Sequence, residues 1–108
     1  MNTIITRPYS IHEIEEWAAS HQERMRKLFA DGTHGGPKDI VLYTSPGSRY
    51  VKIMKSLYSG TQRSVWCFVE ISTGNIYKAA GLNAPAKGVR GHISEDRYWD
   101  WAGGDFYR

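Results

Sequence analysis

The hydrophobic pattern of this chain changes period once, near Lys38, and that change constrains the fold more than any other feature. Before it, Ser10 and Glu13 stand at the spacing of a capping box, in which the serine hydroxyl and the glutamate each satisfy an N–H that the first helical turn leaves open. Tyr9 and Ile14 are placed for the accompanying hydrophobic staple. Behind them Ile14, Trp17, Ala18, His21, Met25, Leu28 and Phe29 recur three and four residues apart, one apolar stripe on a helix of about five turns. Gly32 stops that helix, and the glycine-rich stretch to Pro37 continues no regular element.

After Lys38 apolar and polar residues alternate. Four strands are predicted, at 39–44, 49–58, 63–72 and 75–80. They are joined by Ser-Pro-Gly-Ser, Ser-Gly-Thr-Gln and Ser-Thr-Gly-Asn, each with a glycine in a short polar setting, which favours antiparallel hairpins over crossovers. The expected fold is therefore α+β: an N-terminal amphipathic helix packed on a four-stranded antiparallel β-meander, followed by an irregular aromatic C-terminal tail. At 108 residues the chain has room for one domain, with the helix in 1–31, the meander in 38–80 and the loop and tail in 81–108.

Alternation also sorts the strand side chains onto two faces. Val51, Ile53 and Leu57 point one way, with Val65, Cys67, Val69 and Ile71, and these aliphatics are expected to meet the helix. The opposite set is Tyr50, Lys52, Met54, Ser56 and Tyr58 with Ser64, Trp66, Phe68, Glu70 and Tyr77. That second face is aromatic and basic. Its cover is expected from tail residues Tyr98, Trp99, Trp101, Phe106 and Tyr107 or from a second copy of the chain, unless it serves as a binding platform.

Charge gives the second face its meaning. Residues 32–93 hold eight lysines and arginines against two acids, a balance of +6, whereas 10–31 and 94–108 each carry −2. Cations neutralise phosphates and aromatic rings stack on unpaired bases, so a basic face interleaved with rings is what binding to a single strand requires. After the fourth strand Lys78, Lys87 and Arg90 lie in a loop with glycines at 81, 88 and 91, suited to presenting cations to phosphate oxygens.

Two segments carry a family likeness. Val65-Trp-Cys-Phe-Val-Glu-Ile-Ser-Thr-Gly-Asn-Ile-Tyr-Lys-Ala-Ala-Gly, followed by Ala84-Pro-Ala-Lys-Gly-Val-Arg-Gly, resembles a stretch of small, poorly characterised proteins of tailed bacteriophages. The likeness extends over roughly 49–93 and takes in Tyr-Val-Lys-Ile at 50–53. It implies a viral source and a host-cell cytoplasmic setting, without implying a reaction.

Other chemistries find little purchase. His12, His21, His34 and His92 are scattered without the i, i+4 pairing of a metal site, and the single Cys67 sits in an apolar run, where it reads as a buried hydrophobe. The acids at 13, 15 and 16 suit the first turns of the helix dipole. The segment from Gly81 to Gly88 lacks the spacing of a nucleotide-binding P-loop. No metal or other cofactor and no catalytic residue are expected, and the chain is not expected to be an enzyme. No run of about 18 apolar residues offers a membrane span, and no secretion leader is recognisable, so a cytoplasmic location is expected.

The resulting expectation is a small viral protein that binds single-stranded DNA or RNA as a homodimer, since a meander has open edges. Tyr50, Trp66, Phe68 and Tyr77 would stack on bases. Arg49, Lys52, Lys55, Lys78, Lys87 and Arg90 would hold phosphates. The alternative is a phage-encoded interaction module that binds or inhibits a host enzyme through the same rings.

Overall fold

The computed structural model describes residues 8–32 and 36–100. His34 and the tail residues Trp101, Phe106 and Tyr107 lie outside them. The architecture is α+β, as the change of period requires: α1 (Ile11–Ala30) followed by β1 (Val41–Pro46), β2 (Tyr50–Leu57), β3 (Gln62–Glu70), β4 (Asn75–Tyr77) and β5 (Gly91–His92). The strands form one antiparallel sheet in the order β1-β2-β3-β4-β5, so each strand neighbours the next in sequence.

The helix begins where its cap dictates. The Ser10 hydroxyl accepts from the Glu13 N–H at 3.0 Å, and the Glu13 carboxylate accepts from the Ser10 N–H at 3.0 Å. Its stripe buries Ile14, Ala18, His21, Met25 and Phe29 against Val51, Ile53, Leu57 and Val69 of the sheet. Gly32 then takes a left-handed φ of 73°, which a residue without a Cβ adopts at no steric cost.

Two departures from the expected meander matter. The sheet has a fifth strand, Gly91–His92, pairing with β4. Two residues are too few to show a period, so the alternation pattern carries no sign of it. Its anchorage comes from elsewhere: the Ser94 N–H donates to His92 Nδ1 at 3.0 Å, which leaves Nε2 as the donor to the Thr73 carbonyl at 2.6 Å. A Cβ at Gly91 would run into the Trp99 ring, so glycine here lets the tail settle on the sheet.

The second departure is a β-bulge. Ile53 pairs with Cys67 but Met54 pairs with Val65, which leaves Trp66 as an extra residue without a partner of its own. A bulge sets two residues against one and re-aims a side chain. Here Cys67 keeps its place beneath the helix, Trp66 turns to the same side, and Val65, opposite Met54, goes to the other.

The edge of β1 is guarded by the helix. Gln22 Oε1 accepts the Leu42 N–H at 2.9 Å, and Arg26 Nε donates to the Ile40 carbonyl at 2.9 Å. Such contacts occupy groups that an open edge would offer to another chain. Among the described residues no helix is long and apolar enough to cross a membrane.

Candidate functional site

The rings divide between the two faces of the sheet. On the helix side, Trp17 stacks on Trp66 at 5.7 Å and 23° between planes, and His21 sits 5.5 Å from Trp66 and 5.9 Å from Tyr98. The main chain that follows closes this cluster: Trp66 Nε1 donates to the Asp100 carbonyl at 2.9 Å, and the Trp99 N–H donates to His21 Nε2 at 2.8 Å. That last bond needs a lone pair on Nε2, hence a neutral imidazole. Burial, with the nearby Arg24 charge, lowers the His21 pKa to about 4. The cluster is core.

On the second face Tyr50 stands edge-on to Phe68 at 6.2 Å and to Tyr77 at 5.8 Å. The pairing of β2 with β3 and of β3 with β4 sets Lys52 opposite Phe68 and Phe68 opposite Tyr77. Beneath the rings lies Glu70, only 7 % exposed, accepting from Thr73 Oγ1 at 2.8 Å and from Arg49 Nε at 3.1 Å, with the Tyr77 hydroxyl at 3.5 Å. The Thr73 hydroxyl foremost, then Arg49, holds its carboxyl below the ordinary value against the opposing effect of burial. Glu70 thus stays ionised and fixes the start of Arg49, whose guanidinium lies 5.2 Å from the Tyr50 ring.

After β4 the chain makes a short excursion in which Ala79 pairs with Pro85 and the Ala80 N–H donates to the Ala84 carbonyl at 2.9 Å. This brings Leu82 and Asn83 over the second face, where Lys52 Nζ donates to the Leu82 carbonyl and to Asn83 Oδ1, both at 3.1 Å. Between the excursion and the β1–β2 turn opens a cleft of about 300 Å3. Arg49, Tyr50, Lys52, Phe68 and Asn83 line it with the turn residues 45–48. Its volume matches the lower end of small-molecule sites, roughly 300–1,000 Å3.

A family model matches residues 5–108, nearly the whole chain. The protein belongs to DUF7717, a family of unknown function. No curated protein and no solved structure matches it.

Of the residues that the sequence of this DUF7717 protein singles out, Arg49, Tyr50, Lys52 and Phe68 meet in the cleft and Tyr77 stands beside them. Phe68 is only 4 % exposed, so it forms the floor and leaves Tyr50 as the accessible ring. Trp66 is not on this face at all; the bulge carries it to the helix side, where it is 2 % exposed. Lys55 is likewise displaced from the expected set. It pairs with Leu42 and Ser64, shares the pleat of Ile53 and Leu57, and lies within the field of Asp100, with burial lowering its pKa. Lys78, Lys87 and Arg90 sit outside the cleft. Lys87 is exposed, whereas Arg90 keeps its Nε buried and its N–H on the Ile76 carbonyl at 2.7 Å.

Asn83 and Glu70 are the participants that residue-type reasoning passes over. Glu70 falls on the correct face by alternation, but nothing local marks it as the anchor of Arg49. Asn83 reaches the site through the excursion, 31 residues from Lys52. Of the tail residues expected to cover this face, Tyr98 and Trp99 pack on the helix side instead, and Trp101, Phe106 and Tyr107 lie outside the described residues. Cys67 is fully buried, and that burial pushes its thiol pKa up, the behaviour of an inert core side chain. Among the described residues no group of three His, Cys, Asp or Glu side chains is placed to hold a metal ion.

Proposed function

We propose that this protein binds single-stranded nucleic acid through the second face of its sheet, centred on the cleft between the 45–48 turn and Asn83. The observation that carries the reading is the convergence there of Arg49 and Lys52 beside the Tyr50 ring, cations for phosphates next to a ring for a base. On the likeness to tailed-phage proteins, we read its setting as the cytoplasm of an infected host and its role as non-catalytic, with a homodimer as its assembly.

The three described tryptophans, Trp17, Trp66 and Trp99, belong to the core on the helix side and report poorly on this face. The informative measurement is the fluorescence anisotropy of a labelled oligonucleotide across a salt series. Affinity is expected to fall as salt rises, with a log–log slope that shrinks by about one for each phosphate-contacting cation removed. Salt-independent binding would rule out the electrostatic part of the proposal.

The second reading, an interaction module for a host enzyme, draws on a different patch. Val41 and Tyr43, 38 % and 37 % exposed, line a hollow of about 410 Å3 at the opposite end of β1 and β2. Tyrosines in such a setting are common anchors of protein interfaces. Tyr43→Ala would separate the two readings by abolishing protein capture while leaving oligonucleotide affinity unchanged.

A further inference from the structure

The two charged side chains that line the cleft, Arg49 and Lys52, are both donors, which narrows what it can hold. Lys52 has three N–H donors, of which two are committed to Leu82 and Asn83. Because an ammonium only donates, the Asn83 atom facing it is the carbonyl oxygen, and the amide NH2 keeps both its donors. Arg49 commits Nε to Glu70, and its two terminal amines have no hydrogen-bond partner among the described residues. Glu70 is the carboxylate at the base of this wall, and its two oxygens are already taken by Thr73, Tyr77 and Arg49. A donor-rich wall beside a half-exposed ring is complementary to an oxyanion attached to a planar group.

We propose that the cleft is a subsite for one nucleoside phosphate, with the phosphate held by Lys52, Arg49 and the Asn83 amide and the base laid against Tyr50. This deepens the nucleic-acid reading and rests on it for the planar ring. Linking one nucleotide to the next along a strand then needs only weaker contacts, from exposed cations such as Lys87.

The test uses the intact chain and site-resolved amide NMR, titrated separately with adenosine 5′-monophosphate, adenosine and inorganic phosphate. The monophosphate is expected to shift the amides of Arg49, Tyr50, Lys52 and Asn83 in a saturable way, at least tenfold more tightly than either fragment. Adenosine binding as tightly as the monophosphate would refute the phosphate contacts. Inorganic phosphate binding as tightly would refute the ring contact. Asn83→Asp puts a carboxylate beside Lys52 on an exposed loop and should weaken the monophosphate at least tenfold; Arg49→Gln, at an exposed side chain, should weaken it several-fold. Unchanged affinity in both variants would overturn the assignment. Oligonucleotide anisotropy run in parallel keeps the two readings apart: a strand that binds while the monophosphate does not sinks the subsite alone. A monophosphate that binds while no strand does sinks the nucleic-acid reading and leaves the cleft a mononucleotide site.

Discussion

Trp66 and Tyr50 are both aromatic strand residues in the same basic segment, yet they end in opposite environments. Trp66 stacks on Trp17, gives its N–H to Asp100 and is 2 % exposed, whereas Tyr50 borders a cleft between two cations. What separates them is backbone register. A single extra residue in β3 turns Trp66 under the helix, and regular pairing leaves Tyr50 on the far face. Ring type and neighbouring charge do not decide between core and cleft; the parity of the strand does.

The sharpest way to break this comparison is to truncate each ring in turn. Trp66→Ala removes a buried indole with its hydrogen bond and should cost about 3–5 kcal/mol in chemical denaturation, while the folded fraction retains its affinity for oligonucleotide. Tyr50→Ala should do the reverse, losing about 1–3 kcal/mol of binding while stability changes far less. Equal effects of the two variants on binding would mean that the helix-side cluster is part of the site.

Mild acidification probes the helix side through His21. His21 has a folded pKa near 4 against 6.5 for a free imidazole, so the unfolded chain takes up its proton first as pH falls. Stability contributed by the neutral ring is complete above pH 6.5 and is lost progressively down to about pH 4, a change on the order of 3 kcal/mol. Denaturation midpoints measured across that window should show this slope, and His21→Gln should flatten it. A slope that survives the substitution would assign the effect to other groups.

The smallest effect is expected at Lys87, exposed on the loop beyond the cleft. Lys87→Ala should leave stability within about 0.5 kcal/mol and lower the salt slope of oligonucleotide binding by about one, without changing base preference. An unchanged slope would confine the phosphate contacts to the cleft.

Local signals account for how much of the molecule was legible. The helix was readable because its cap and its 3.6-residue stripe lie within one contiguous segment, and the hairpins because each turn carries its glycine. The face assignment failed where the strand offered no alternation to read. In Val65-Trp66-Cys67-Phe68 every residue is apolar, so either register buries apolar surface and the bulge leaves no trace in the pattern. Lys55 is a different case: alternation with Ile53 and Leu57 already puts it on the helix side, its charge alone pointed to the other face, and its long apolar stem is accommodated on the half-buried side. The two residues of β5 and the reach of Asn83 depend on contacts between distant segments. No local window contains them.

What the sequence determined by itself was therefore the inventory and the class: one capped amphipathic helix, a run of antiparallel hairpins, and a cationic middle segment rich in rings. What the tertiary structure decided was which rings are core and which face a cleft, which cations stand beside them, and that Glu70 and Asn83 complete the site. The physical reason is that helix caps, turns and periodicity are satisfied within a few residues. Register at a bulge and the meeting of Lys52 with Asn83 are instead settled by packing and hydrogen bonds between segments dozens of residues apart.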